Sequence, residues 1–161
     1  MERGFTWIEL LLVLAALGAL LLMAIPAMQD GALKRQVRDA VQLAPVAETA
    51  VQVAYSVGGT MPADNKAAGL PDADKIVSQF VKSVNVANGA VTLTLGNNAS
   101  KALEGMTLTL RPAVVPDQAV VPIAWLCHNA GVPGGMQVMG EDVTNIPPKW
   151  LPVECRGATA K

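Results

Sequence analysis

The sequence predicts an α+β fold. A long N-terminal helix, transmembrane in its first half and amphipathic in its second, packs on a four-stranded antiparallel sheet and is followed by a C-terminal disulfide-bounded loop. Three observations predict this. Twenty of the twenty-four residues from Phe5 to Met28 are apolar, interrupted only by Thr6, Glu9, Gly18 and Pro26. Apolar residues then recur at three- and four-residue steps, the period of a helix with one buried face. Beyond residue 80, short β-rich runs flank Asn88-Gly89, the strongest short-range hairpin signal.

Composition narrows the function classes. The chain has 161 residues, 52% hydrophobic and 16% charged, which excludes a disordered tail and leaves room for one small domain beyond the apolar run. Twelve Lys and Arg stand against thirteen Asp and Glu, and from Gln29 onward there are eleven of each sign. Net charge therefore gives no support for attraction to DNA, anionic lipid or acidic substrates, although a local patch stays open. One histidine, His128, and two cysteines, Cys127 and Cys155, are too few for a zinc site of four Cys and His ligands. No Gly-rich phosphate loop or acid pair at metal spacing occurs, so neither an enzyme nor a cofactor is expected.

As a helix, residues 5–28 would measure roughly 36 Å, enough to cross a hydrocarbon core of about 30 Å. A helix apolar all round needs lipid or protein on every side, and the remainder of the chain is too small to enclose it. A cleavable secretory signal fits less well. The run exceeds a signal core of about 7–15 residues, Glu9 sits near its start, and Met28-Gln29-Asp30 follows it instead of a small-x-small site. Glu9 costs on the order of 2.5 to 3.5 kcal/mol inside a membrane helix. No Lys, Arg or His lies in the run. A partner must come from another chain or from an N-terminal amine exposed by processing, unless Glu9 snorkels to the interface from one turn inside.

The amphipathic stripe comprises Leu33, Val37, Ala40, Ala44, Ala47, Val51 and Ala54. It predicts one helix from Phe5 to about Val57, a rod of roughly 80 Å, stopped by Gly58-Gly59-Thr60. Pro26 and Pro45 should bend it, and Gly18 with Pro26 brackets a stretch of weak backbone hydrogen bonding. Residues 61–71 read as a loop of limited structure, and Asp72 to Phe80 as a short capped helical turn entering a strand. Strands are expected at Val81–Val86, Ala90–Leu95, Met106–Arg111 and Val121–Leu126, their apolar face covered by the helix from about Leu33 to Tyr55. Pro112, Pro116, Pro122, Pro133, Pro147, Pro148 and Pro152 should keep the C-terminal third irregular. A Cys127–Cys155 disulfide is the economical interpretation, stabilising by roughly 3.5 kcal/mol and implying an oxidising compartment. Two buried free thiols are the alternative; a redox pair lacks Cys-x-x-Cys spacing.

Gly4-Phe5-Thr6-Trp7-Ile8-Glu9-Leu10, the apolar stretch and Ile25-Pro26-Ala27 resemble the class III signal of type IV pilins. Trp7 replaces the family's usual aliphatic residue, and the leader Met1-Glu2-Arg3-Gly4 is short. Phe80-Val81-Lys82-Ser83-Val84, Asn88-Gly89, Leu108-Thr109-Leu110, Trp125-x-Cys127 and Pro148-Lys149-Trp150-Leu151-Pro152-x-x-Cys155-Arg156 are similar to successive segments of type IVa major pilins, so the resemblance spans nearly the whole chain. It implies a leader peptide (1–4), a transmembrane and assembly helix (5–28), its amphipathic half (29–57), a connecting loop (58–80), a sheet (81–126) and a disulfide-bounded loop with tail (127–161). It further implies that a prepilin peptidase cuts between Gly4 and Phe5 and methylates Phe5, and that Glu9, beside Thr6, pairs with the Phe5 amine of a neighbouring subunit. Gly18 and Pro26 would mark a segment that melts in filaments.

The resemblance places the precursor in the inner membrane as a single-pass protein with a cytoplasmic N-terminus, and the assembled homo-oligomer in an extracellular pilus. The cations Lys34, Arg35 and Arg38 alone would mildly favour the opposite orientation. Implied partners are the peptidase, the pilus assembly platform and minor pilins, with host or abiotic surfaces; DNA is undecided. Implied roles are attachment, twitching motility and DNA uptake. Alternatives are a minor pilin, a type II secretion pseudopilin, disfavoured by the cysteine pair, or a membrane-tethered periplasmic domain. Lys149, Trp150 and His128 are candidates for surface recognition, although a large aromatic such as Trp150 more often packs beneath a loop. Asn98-Ala99-Ser100 matches a glycosylation acceptor triplet, a pattern common by chance.

Overall fold

The computed structural model describes residues 6–157, and the side chains of residues 22–28 lie outside that description. Helix α1 (Trp7–Val41) starts at the extended Thr6 and runs as α-helix past Gly18 and Pro26. The expected single helix to Val57 is divided: α1 ends at Val41 and α2 (Ala44–Gly58) begins after Gln42 and Leu43. Pro45 is the cause, having no N–H to donate to the preceding turn. The junction is carried instead by three-residue turns, with the amides of Gln42, Leu43 and Val46 donating to the carbonyls of Asp39, Ala40 and Leu43. At the far end Gly59 caps α2 in the left-handed region (φ 66°) and donates to the Tyr55 carbonyl, as a helix-ending glycine does.

The predicted stripe is the buried face. Leu33, Val37, Ala40, Ala44, Ala47 and Val51 are buried. Ala54 is only half-buried and Tyr55 takes its place in the core. Alanine at three consecutive contact positions lets the helix backbone approach the sheet closely. The sheet has the order β1 (Val81–Ala87), β2 (Ala90–Leu95), β3 (Thr107–Val114), β4 (Ala124–Cys127), all antiparallel. Alternate residues Val84, Val86, Val91, Leu93, Leu95 and Leu108 are fully buried, the period-two pattern of a half-covered sheet. Asn88 (φ 50°) and Gly89 (φ 83°) form the tight turn between β1 and β2. Any side chain at Gly89 would also collide with Met61 Sδ.

Three strand expectations need correction. β3 continues through Pro112: β4 pairs with it as far as Ala113, while on the edge that β2 leaves at Leu110 the Pro112 carbonyl accepts the Met139 amide and the two-residue β5 (Gln137–Val138) pairs. A proline is tolerated where so little ladder remains to lose. β5 makes a fifth strand, where four were expected. β4 starts at Ala124 and not at Val121, because Pro122 cannot contribute a donor. The remaining edge of β3 at Thr107 and Thr109 is filled by the C-terminal loop, whose Asn145 and Thr144 side chains accept the two amides. That cover blocks an otherwise open sheet edge.

The connection 58–80 is more organised than its composition suggested. Its helical turn is a 3-10 helix (Ala73–Lys75) without a side-chain cap bond. The buried Asn65 accepts the Val86 amide at 2.6 Å and donates to the carbonyls of Val84 and Pro71, each at 3.0 Å. One amide side chain thus ties the loop to β1. Asn65→Ala would orphan those buried backbone groups and should lower the unfolding free energy by about 2–3 kcal/mol. Urea unfolding of the full-length chain in detergent measures it, and a loss under about 0.5 kcal/mol would show that other contacts hold the loop.

Candidate functional site

The first part of the site is the free end of α1. Thr6 is the N-cap and its carbonyl accepts the amides of Glu9 and Leu10, while the Thr6 hydroxyl donates to Glu9 Oε2 at 3.5 Å. Thr6 and Glu9 have the spacing of a capping box, but neither side chain caps a backbone amide. The carboxylate is exposed, and among the described residues no cation pairs with it. Gly4 and Phe5, the predicted cleavage and methylation residues, lie outside the described residues. From Trp7 to Leu21 every side chain is exposed, with Trp7 at 76% and Leu20 at 65%. Among the described residues no helix is long and apolar enough to cross a membrane; the predicted span 5–28 includes residues outside that description.

The second part is where the helix enters the head. Trp150 Nε1 donates to Asp30 Oδ1 at 2.9 Å, and Lys149 Nζ stands 3.5 Å from the same oxygen and 4.8 Å from the Trp150 ring centre. The indole bond holds the Asp30 carboxyl below its ordinary value against the opposing effect of burial, with Lys149 and Lys34 adding to it. Two turns along α1, Gln36 Oε1 accepts the Ser100 amide at 2.9 Å. The loops carrying Trp150 and Ser100 therefore hold α1 at Asp30 and Gln36. Two of the three recognition candidates, Lys149 and Trp150, are engaged in this grip, Trp150 half-buried against the core and Lys149 largely exposed. Nothing in the sequence pattern distinguished Asp30 as their partner.

The third part is the C-terminal loop. Cys127 and Cys155 are joined (Sγ–Sγ 2.08 Å) with a sequence separation of 28, and Cys155 is fully buried. His128 follows in a left-handed conformation (φ 48°), its carbonyl accepting Arg111 Nη2. His128 Nδ1 is 2.6 Å from Asp142 Oδ2 and its Nε2 is 3.0 Å from Asn129 Nδ2. A proton on Nδ1 satisfies both contacts, donating to the carboxylate and leaving Nε2 to accept. Burial pushes the Asp142 carboxyl up, but the Thr144 hydroxyl and amide and the His128 ring together hold it below its ordinary value. On α2, Glu48 has no ion-pair partner among the described residues, and burial pushes its carboxyl up. The outward line Val46, Val53 and Val57 on α2 is exposed. Among the described residues no three His, Cys, Asp or Glu side chains converge as a metal site would require. Asn98 is exposed in a turn after β2.

Two tests address the loop. Replacing both cysteines with serine should lower the unfolding free energy by roughly 3.5 kcal/mol, read from urea unfolding; unchanged stability would leave the loop fixed by other contacts. Because Asp142 is lowered in the folded state, its stabilisation is complete above the ordinary value of 3.8 and is lost as pH falls through the lower folded value. Thermal melts of Asp142→Asn should accordingly lose less stability than the native chain between neutral and strongly acid pH. An identical pH slope in both would remove Asp142 from the account.

A family model described as "Pilin (bacterial filament)" matches residues 34–156. The chain is 35% identical over 167 residues to type IV major pilin protein PilE1 of Neisseria gonorrhoeae, covering 99% of this chain and 90% of that protein. It is 36% identical over 165 residues to type IV major pilin protein PilE of the same species, covering 97% and 95%. It is 32% identical over 168 residues to the fimbrial protein of Neisseria meningitidis serogroup B (strain ATCC BAA-335 / MC58), covering 99% and 96%.

Proposed function

Because the chain belongs to the pilin family, we propose that it is the structural subunit of a type IV pilus, made as a membrane precursor and polymerised through its N-terminal helix into surface filaments. The observation that carries this is the exposed apolar surface of α1 from Trp7 to Leu21. Ten large hydrophobic side chains there leave on the order of 10 kcal/mol or more of burial free energy unclaimed, comparable to the whole net stability of a domain. Lipid satisfies that surface before assembly, and neighbouring helices satisfy it afterwards. The exposed Val46, Val53 and Val57 extend the apolar line along α2.

Within that scheme a prepilin peptidase removes residues 1–4 and methylates Phe5. Glu9 then pairs with the Phe5 amine of an adjacent subunit. The pair sets axial register, a use of buried polar groups with support in other helical assemblies. The assembly platform and minor pilins are the other partners, and the precursor spans the inner membrane with its leader in the cytoplasm. Attachment and twitching motility are the proposed outputs of the filament, with DNA uptake as a further one.

Glu9→Ala should leave membrane insertion intact and abolish filaments or reduce them at least tenfold, a loss of about 1.4 kcal/mol or more per subunit addition. Electron microscopy and quantification of sheared filaments measure it. Normal filament yield from this variant would dismiss the register role.

A further inference from the structure

Beside α1, just past the apolar run, lies a groove of about 460 Å³ lined by Gly31, Ala32, Arg35, Gln36, Asp39 and Phe80. We propose that this groove is a phospholipid cradle, selective for a zwitterionic headgroup with a primary ammonium, that seats the subunit in the membrane before assembly. It rests on the membrane stage proposed above.

The order of chemistry along the helix matches the order of groups in such a lipid. Gly31 and Ala32 lie nearest the apolar run and offer a floor without bulky side chains. Arg35 comes one turn later and Asp39 one turn after that, each step about 6 Å along the axis. Arg35 begins about 10 Å beyond Met28, and helical side chains lean toward the N-terminus, which brings its guanidinium back into an interfacial layer about 5–8 Å deep. That is phosphate level. Asp39 stands farther out, where the ammonium of a phosphoethanolamine group projects.

Arg35 and Asp39 carry opposite charges one turn apart, yet neither has an ion-pair partner among the described residues. The cation-first order is the weaker of the two arrangements of such a pair on a helix. A headgroup carrying phosphate at one end and ammonium at the other bridges them. Gln36 has its oxygen committed to Ser100, leaving its NH2 as a donor at the groove wall. Phe80, half-buried just before β1, supplies an apolar side for the glycerol carbons. A choline headgroup has no N–H to donate to Asp39, and a glycerol headgroup has no charge to offer it.

The test is native mass spectrometry of the full-length chain released from nanodiscs holding equal amounts of phosphatidylethanolamine, phosphatidylcholine and phosphatidylglycerol. Phosphatidylethanolamine should be retained about tenfold over phosphatidylcholine, the size of one charge-assisted hydrogen bond. Asp39→Asn should level the two, Arg35→Gln should abolish retention, and Arg35→Lys should keep most of it. Equal retention of all three lipids, preference for phosphatidylglycerol, or a preference that survives both Asp39→Asn and Arg35→Gln would overturn the cradle. A carbonate wash separates the levels. Extraction of the chain overturns the membrane stage and the cradle with it, whereas a retained chain with indiscriminate lipid overturns the cradle alone.

Discussion

The structure depends on one constraint: the first half of α1 has no cover within its own chain. Residues 7–21 present apolar side chains on every side, and water cannot be their working environment at the free-energy cost this implies. The head follows from that constraint. It leaves the first half of the helix bare and occupies one face of the second half. An inward stripe of small residues, Ala40, Ala44 and Ala47, lets the sheet approach closely, so one helix serves two environments in series.

A rod that must pack against lipid or neighbours also needs a fixed direction relative to its head. The hydrophobic stripe alone permits sliding, since alanines offer little shape to lock register. Polar contacts supply the lock. Trp150 and Lys149 reach Asp30, and the Ser100 amide reaches Gln36. Leu151, buried beside Trp150, and the Cys127–Cys155 bond anchor the loop that presents those side chains. The disulfide therefore acts on helix direction as well as on head stability, together with the β5 pairing and the Thr107–Asn145 and Thr109–Thr144 bonds that hold the same loop.

Much of this was legible from local signals. The helix stripe, its end at the paired glycines, the Asn88-Gly89 hairpin and the cysteine pair each rest on patterns a few residues long, and the structure contains them. The division at Gln42–Leu43 was foreshadowed by Pro45 as a bend, though the loss of regular α-helical pairing there depends on how the following turn repacks. The misses are long-range. Pro112 reads as a strand breaker until the pairing geometry shows how little ladder it interrupts. Asn65 looks like any loop asparagine until the fold places it against β1, and Asp30 gains its role only when a residue 120 positions away is brought to it. Glu9, by contrast, stood out from solvation physics alone, because a carboxylate in an apolar run demands a partner. The partner proposed for it, the Phe5 amine, lies outside the described residues.

The central claim is that the bare helix is a polymerisation element made available by processing. Intact mass measurement with N-terminal sequencing of protein sheared from the cell surface, under non-reducing conditions, tests it most directly. The account predicts a chain beginning at Phe5, carrying one added methyl group and lacking the two hydrogens removed by the Cys127–Cys155 bond. A chain beginning at Met1 and confined to the membrane fraction would contradict it, making the helix a tether and leaving Glu9 without an assembly role.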